Sequence, residues 1–171
     1  NMNVLDKSSK LQSLKGDILV AEDNFNNQKL IEILLSKLGL QSIIVSNGQE
    51  AIDMYKKRKF DLILMDINMP IIDGINATKY IREIENDYYK IPIIALTANS
   101  IAGDKEKYLS QGMNDYLSKP IEFDILVEIL KKYFKSDFLI DINLHKVDIN
   151  LISKKFQLPY ETDTEIIQFH H

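Results

Sequence analysis

Two short apolar runs in this sequence each end in carboxylates, and this pattern limits the chain to few folds. The run at residues 62–65 leads into Asp66, and the run at residues 18–21 leads into Glu22 and Asp23. Short apolar runs bounded by turn residues are typical of strands buried inside a parallel sheet. Because ligands bind beyond the carboxyl ends of such strands, we expect the three carboxylates to meet at one sheet edge. That much negative charge favours a bound cation.

The rest of the chain alternates between strand and helix patterns. Three more strands are predicted at residues 42–45, 93–97 and 116–117. Five helices are also predicted. The first has an apolar stripe at residues 30–38 and ends at Gly39, the second starts at Gly48, and the third has its apolar face at residues 75–84. The fourth is mostly polar, covers about 101–110 and stops at Gly112, and the fifth covers about 123–134. This alternation predicts an α/β fold, a three-layer sandwich in which helices cover both faces of a five-stranded parallel sheet.

The length of 171 residues suits one compact domain with terminal extras. We predict a polar linker at residues 1–15, a domain at 16–136 and a C-terminal tail, or the start of a following segment, at 137–171. Asn1 precedes Met2, and the sequence ends in His170-His171. Both features resemble additions from cloning, so we expect a piece cut from a longer polypeptide.

Composition excludes several classes of function. The chain has no cysteine, which excludes disulfides, thiolate chemistry and zinc-thiolate sites and fits a reducing cytoplasm. A formal net charge of -4 gives no sign of a nucleic-acid-binding surface. No apolar run is long enough to span a bilayer, so we expect no membrane contact by this chain.

Two further polar residues are predicted at the same sheet edge. Thr97 ends the fourth strand, and Lys119 follows the fifth. Each position has a plain structural alternative, since Thr97 alone suits a strand-end cap, Lys119 a solvated loop, and Glu22-Asp23 the N-cap of the next helix. The joint placement of these residues favours a functional site.

The residue types at this edge match phosphoryl transfer. Magnesium prefers oxygen ligands and keeps several waters, so Asp23, Asp66 and the Asn68 carbonyl are candidate ligands, with Glu22 acting through a metal-bound water. Asp66 is also a candidate nucleophile that forms an acyl phosphate. Charge neutralisation dominates this chemistry, and Lys119 and Thr97 are candidates to contact the phosphoryl oxygens. The small Ala98 leaves room for the phosphodonor.

The chain resembles the receiver domain of bacterial-type two-component response regulators over about residues 17–135. The matching motifs are Glu22-Asp23-Asn24, residues 64–70 around Asp66, Asp73-Gly74, residues 95–98, and residues 115–120. The resemblance implies a flavodoxin-like sheet with strand order 2-1-3-4-5. It also implies that Asp66 accepts a phosphoryl group from a histidine with magnesium, for which manganese can substitute. The Lys119–Pro120 bond is expected to be cis.

The family resemblance further implies a switch and partners. Phosphorylation would draw Thr97 inward and let Tyr116 rotate behind it. This would change the surface formed by the helix from Ile101, the strand at Tyr116 and the final helix. The partner is expected to be a histidine kinase or a histidine phosphotransfer domain, with a homodimer through the final helix face as a further possibility. Asn27-Gln28 and residues 68–70 are similar to receivers of hybrid histidine kinases, and a free-standing regulator is the alternative. The sequence after Phe134 predicts no DNA-binding helix pair, so we do not expect a transcriptional output in this chain.

Three other functions fit the sequence less well. A phosphorylation-independent binding module has no chemical need for Asp66, Thr97 and Lys119 together. A phosphatase of the haloacid dehalogenase kind needs a second carboxylate at the position of Asn68, and a flavin carrier needs a Ser/Thr/Gly-rich loop where this chain is acidic. We expect no enzyme in this chain alone, only slow hydrolysis of the phosphoryl group, with a lifetime that Asn68 and Asn99 adjust.

Overall fold

Five strands and five helices alternate along the part of the chain that this computed structural model describes, residues 15–86, 88–98 and 103–134. The strands are β1 (Asp17–Ala21), β2 (Gln41–Val45), β3 (Leu62–Asp66), β4 (Ile93–Thr97) and β5 (Asp115–Ser118). The helices are α1 (Phe25–Lys37), α2 (Gly48–Lys57), α3 (Gly74–Ile84), α4 (Asp104–Ser110) and α5 (Phe123–Tyr133). The linker predicted at 1–15 (apart from residue 15) and the tail predicted at 137–171 lie outside the described residues.

The strands form one parallel sheet in the order β2-β1-β3-β4-β5, which confirms the predicted topology. Both central strands β3 and β4 are buried along their whole length, as continuous apolar runs predict. The edge strand β2 is only partly buried. Among the described helices, none is long and apolar enough to cross a membrane.

Alternate side chains of the strands enter two separate cores. One core lies under α1 and α5 and takes strand residues such as Val20, Leu64 and Leu96. The other core lies under α2, α3 and α4 and takes the strand residues that come next in sequence, such as Ala21 and Met65. This two-residue period places helices on both faces of the sheet and confirms the predicted three-layer sandwich.

Polar side chains cap three helices that start near the carboxyl edge of the sheet. The side chains of Asn24, Asn47 and Asp73 each accept a hydrogen bond from a backbone N–H in the first turn of α1, α2 and α3. The predicted helix at 101–110 begins at Asp104, after Gly103 in a left-handed conformation at its N-cap. Ile101 and Ala102 lie outside the described residues. Other element ends differ from the predictions by a few residues, since capping and not apolar spacing sets them.

Gly74 permits a close approach behind β3. A Cβ atom at Gly74 would lie 2.0 Å from the backbone oxygen of Asp66, which no side chain tolerates. The Gly74 N–H donates to the Ile67 carbonyl at 3.0 Å and so ties the start of α3 to the end of the strand. The backbone that carries Asp66 therefore depends on a glycine eight residues later.

Replacing Gly74 with alanine is expected to lower the free energy of unfolding by more than about 2 kcal/mol, because the Asp66 backbone must move to admit the methyl group. Gly103→Ala is the control, since a Cβ there meets no atom of the described residues within 4 Å, and the residue has a positive φ that strains any side chain. That strain is about 1–2 kcal/mol. Urea unfolding measures both, and a Gly74→Ala loss no larger than the Gly103→Ala loss would contradict the account.

Candidate functional site

The parallel ladders bring the carboxyl ends of four strands to one edge of the sheet. Asp66 at the end of β3 is in register with Leu96, and Thr97 at the end of β4 is in register with Ser118. Backbone hydrogen bonds continue one residue further, where the Lys119 N–H donates to the Thr97 carbonyl at 2.7 Å. Glu22 is fixed in the same way on the β2 side of β1. The sheet thus places the predicted residues along one edge.

Glu22, Asp23 and Asp66 form a cluster in which one carboxylate oxygen of each lies within 4.8 Å of the others. The Glu22 and Asp66 side chains are buried, whereas Asp23 is exposed. The structure therefore brings together the three carboxylates that the strand ends predicted. One member of the cluster faces solvent, which leaves the cluster open on that side.

The first turn of α1 fixes the orientation of Glu22. The Asn24 backbone N–H and the Asn27 side-chain amide both donate to Glu22 Oε1 at 3.2 Å. The Gln28 side-chain amide donates to the Glu22 backbone oxygen at 2.6 Å. Asn27 and Gln28 were not predicted as site residues, although their position one turn after an acidic strand end was a usable signal.

Lys119 bridges the two buried carboxylates. Its Nζ lies 2.9 Å from Glu22 Oε2 and 3.0 Å from Asp66 Oδ2. Burial opposes the charge on this lysine, but the contacts with the two carboxylates outweigh burial and raise its pKa. Lys119 is therefore a firmly protonated cation at the centre of the site.

One ammonium does not neutralise three carboxylates. Burial, followed by the negative charge of Glu22, raises the pKa of Asp66 from 3.8 to about 7, despite the opposing effect of Lys119. The formal charge of the cluster, with all four groups ionised, is negative. A set of hard oxygen donors with an uncompensated negative charge and one solvent-facing member is the donor set that magnesium prefers.

The remaining predicted residues lie around this cluster. The Asn68 backbone N–H donates to Asp66 Oδ1 at 3.3 Å, and Ala98 is exposed. Tyr116 is half-buried on β5, and the Lys119–Pro120 bond is cis. Asn99 lies outside the described residues.

Thr97 has a partner that the sequence analysis missed. The Tyr108 hydroxyl of α4 donates to Thr97 Oγ1 at 3.0 Å, and both side chains are buried. The Tyr108 ring also packs against Tyr116, with 6.4 Å between the ring centroids. Because the only apolar residue of α4 besides Tyr108 is the exposed Leu109, its sequence gave no apolar stripe that pointed to a buried tyrosine.

The chain belongs to the family of response regulator receiver domains, whose family model matches residues 18–131. Hybrid signal transduction histidine kinase I of Dictyostelium discoideum is 49% identical to it over 125 residues. The match covers 70% of this chain and only 7% of that kinase, so the chain spans a small part of the relative's length. The predicted family is thereby confirmed.

Two solved receiver domains share the fold. One is the receiver domain of a sensor histidine kinase from Pseudomonas aeruginosa PAO1, which has a magnesium ion coordinated in its active site cleft. Its TM-score is 0.65 and its sequence is 43% identical, over 72% of this chain and 100% of the Pseudomonas chain. The other is the receiver domain of Saccharomyces cerevisiae Ssk1, co-crystallised with the histidine phosphotransfer protein Ypd1. Its TM-score is 0.66 and its sequence is 34% identical, over 75% of this chain and 94% of the Ssk1 chain. These likenesses confirm the flavodoxin-like fold.

Without magnesium, Asp66→Asn is expected to raise the free energy of unfolding at about pH 8 by about 1–3 kcal/mol, because a neutral amide relieves the crowding of negative charge. The folded-state pKa of Asp66, about 7, lies above its ordinary value of 3.8. The folded protein therefore binds this proton more tightly, and stability falls as the pH rises from about 4 to 7. The gain from the substitution should shrink as the pH is lowered toward 4.

Urea unfolding in EDTA across this pH range measures the effect. Asp53→Asn is the matched control, because Asp53 is an exposed carboxylate of α2. Within the described residues, its side chain forms a hydrogen bond only with Gln49. Its effect should stay within about 0.5 kcal/mol at every pH. An Asp66→Asn protein no more stable than wild type at pH 8 would contradict the charge-crowding account.

Proposed function

We propose that Asp66 accepts a phosphoryl group from a phosphohistidine in a two-component phosphorelay. The observation that carries the proposal is the buried Asp66 carboxylate at a sheet edge, held 3.0 Å from the Lys119 ammonium within an acidic cluster. In the transfer, an Asp66 oxygen attacks phosphorus and forms an acyl phosphate. The P–N bond to the donor imidazole breaks, and its electron pair stays on the imidazole nitrogen, which takes up a proton.

The cluster supplies a magnesium site for this reaction. Asp23, Asp66 and the backbone carbonyl of Asn68 are the proposed ligands, and Glu22 is proposed to act through a metal-bound water. When bound, the ion offsets negative charge on the phosphoryl oxygens and on the cluster. Manganese is proposed as a substitute, since it also favours oxygen ligands.

Three further residues complete the proposed phosphoryl site. Lys119 contacts one phosphoryl oxygen once Asp66 is modified, because its ammonium already lies beside the carboxylate. The Thr97 hydroxyl donates to a second oxygen, and the exposed Ala98 leaves the approach to Asp66 open. The movement of Thr97 is coupled to Tyr116, whose half-buried ring gives it room to change position.

The proposed donor is a histidine phosphotransfer domain or a histidine kinase. The yeast receiver domain bound to Ypd1 supports the first, and the similarity to a hybrid histidine kinase supports the second. We propose that the chain is a receiver segment, residues 16–136, of such a kinase, with a free-standing regulator as the alternative. A cytoplasmic location follows from the donor chemistry, because phosphohistidine is made from ATP.

The phosphorylated state would end by slow hydrolysis, and the chain is not proposed to be an enzyme on its own. Asn68 lies next to the reacting carboxylate and is the proposed residue that adjusts the lifetime. A homodimer through the α5 face remains a further proposal, supported by the half-exposed Ile125 on that helix.

Intact-mass spectrometry after incubation with acetyl phosphate tests the proposed function. Wild-type protein with magnesium should gain one phosphoryl adduct, and the adduct should be absent with EDTA or in Asp66→Asn. Asp53→Asn, which changes an exposed carboxylate in the same way, should be labelled like wild type. Absence of an adduct under conditions that label a known receiver domain would leave a phosphorylation-independent binding module as the better account.

A further inference from the structure

We infer that Tyr108 is a positioning residue that holds the Thr97 hydroxyl in the unphosphorylated protein and releases it when Asp66 carries a phosphoryl group. This inference rests on the proposed function, because it needs a state in which Thr97 contacts a phosphoryl oxygen. The structural basis is the 3.0 Å hydrogen bond from the Tyr108 hydroxyl to Thr97 Oγ1.

The bond is sheltered from water. Tyr108 is 6% exposed and Thr97 is 4% exposed, so water competes poorly for either hydroxyl. A buried hydrogen bond of this kind stabilises the arrangement that contains it, and a phenol left without a partner is unfavourable. The conformation in which Thr97 faces α4 is therefore the one that Tyr108 favours.

Tyr108 is also the main attachment of α4 to the sheet. It is the buried residue of this seven-residue helix, whose other side chains are exposed or half-buried. Its ring packs against Tyr116 at a tilt of 44°. A movement of the Thr97 oxygen therefore acts directly on the one side chain that anchors α4 and contacts the β5 tyrosine.

The hydrogen bond from the Tyr108 hydroxyl to Thr97 opposes the phosphorylated state. When Thr97 moves toward a phosphoryl oxygen on Asp66, its distance from the Tyr108 hydroxyl increases and the bond is lost. Tyr108→Phe removes the bond in advance and keeps the ring that anchors α4. The variant should therefore bind a phosphoryl analogue more tightly than wild type does, by about three- to tenfold, the effect of one hydrogen bond.

Calorimetric titration with beryllium fluoride, an acyl-phosphate analogue, in saturating magnesium measures this affinity. Tyr133→Phe is the matched control, because its hydroxyl also bonds within the domain, to the Asn114 carbonyl at 3.0 Å, but the phenol lies on α5. It should bind the analogue like wild type. In a Thr97→Ala background, Tyr108→Phe should have no effect on affinity, because the oxygen that the phenol holds is gone.

The outcomes separate this inference from the proposed function. Tighter binding by Tyr108→Phe that disappears in the Thr97→Ala background supports the inference. Unchanged or weaker binding, even with reduced thermal stability, overturns it, since a merely structural hydrogen bond lowers stability without favouring the analogue. If wild type itself neither binds the analogue nor accepts a phosphoryl group at Asp66, the proposed function has failed and the inference falls with it.

Discussion

The structure depends on one electrostatic constraint, which is that three carboxylates at a sheet edge share a single lysine. Lys119 contacts Glu22 and Asp66 directly, and Asp23 completes the cluster on its exposed side. The arrangement is unfavourable for the protein alone, as the raised pKa of Asp66 shows. Such an arrangement is maintained only if the fold holds it in place, and it is useful because a bound cation can offset its excess negative charge.

The backbone of the fold holds these carboxylates and Lys119 in place. Parallel pairing sets the strand ends side by side, and further backbone bonds fix Glu22 and Lys119 one residue beyond the strands. The close approach of Gly74 to Asp66 confines the loop after β3. Because two apolar cores bury both faces of the central strands, the site residues have little freedom to move apart. The movement proposed for the switch is then confined to side chains such as Thr97 and Tyr108.

Much of the fold could be predicted because its signals are local. Apolar runs and glycines marked the strands and most helices, and the rule for parallel sheet edges grouped Glu22, Asp66, Thr97 and Lys119. The Tyr108–Thr97 bond could not be predicted, because it joins a polar helix to a strand end through one tyrosine. The roles of Asn27 and Gln28 were also missed. Side chains that orient a carboxylate have no periodic pattern, and the signal for these two was their position one turn after the acidic strand end. The tail at 137–171 stays a prediction, outside the described residues.

The central claim is that the cluster of Glu22, Asp23 and Asp66 is a divalent-cation site. Magnesium titration by isothermal calorimetry tests this claim most directly. Wild-type protein near pH 8 should bind one magnesium ion, and Asp23→Asn should bind it at least about tenfold more weakly because a carboxylate ligand is lost. Asp53→Asn, an exposed carboxylate away from the cluster, should bind magnesium like wild type. Absence of saturable binding by wild type, or equal affinity in Asp23→Asn, would contradict the claim.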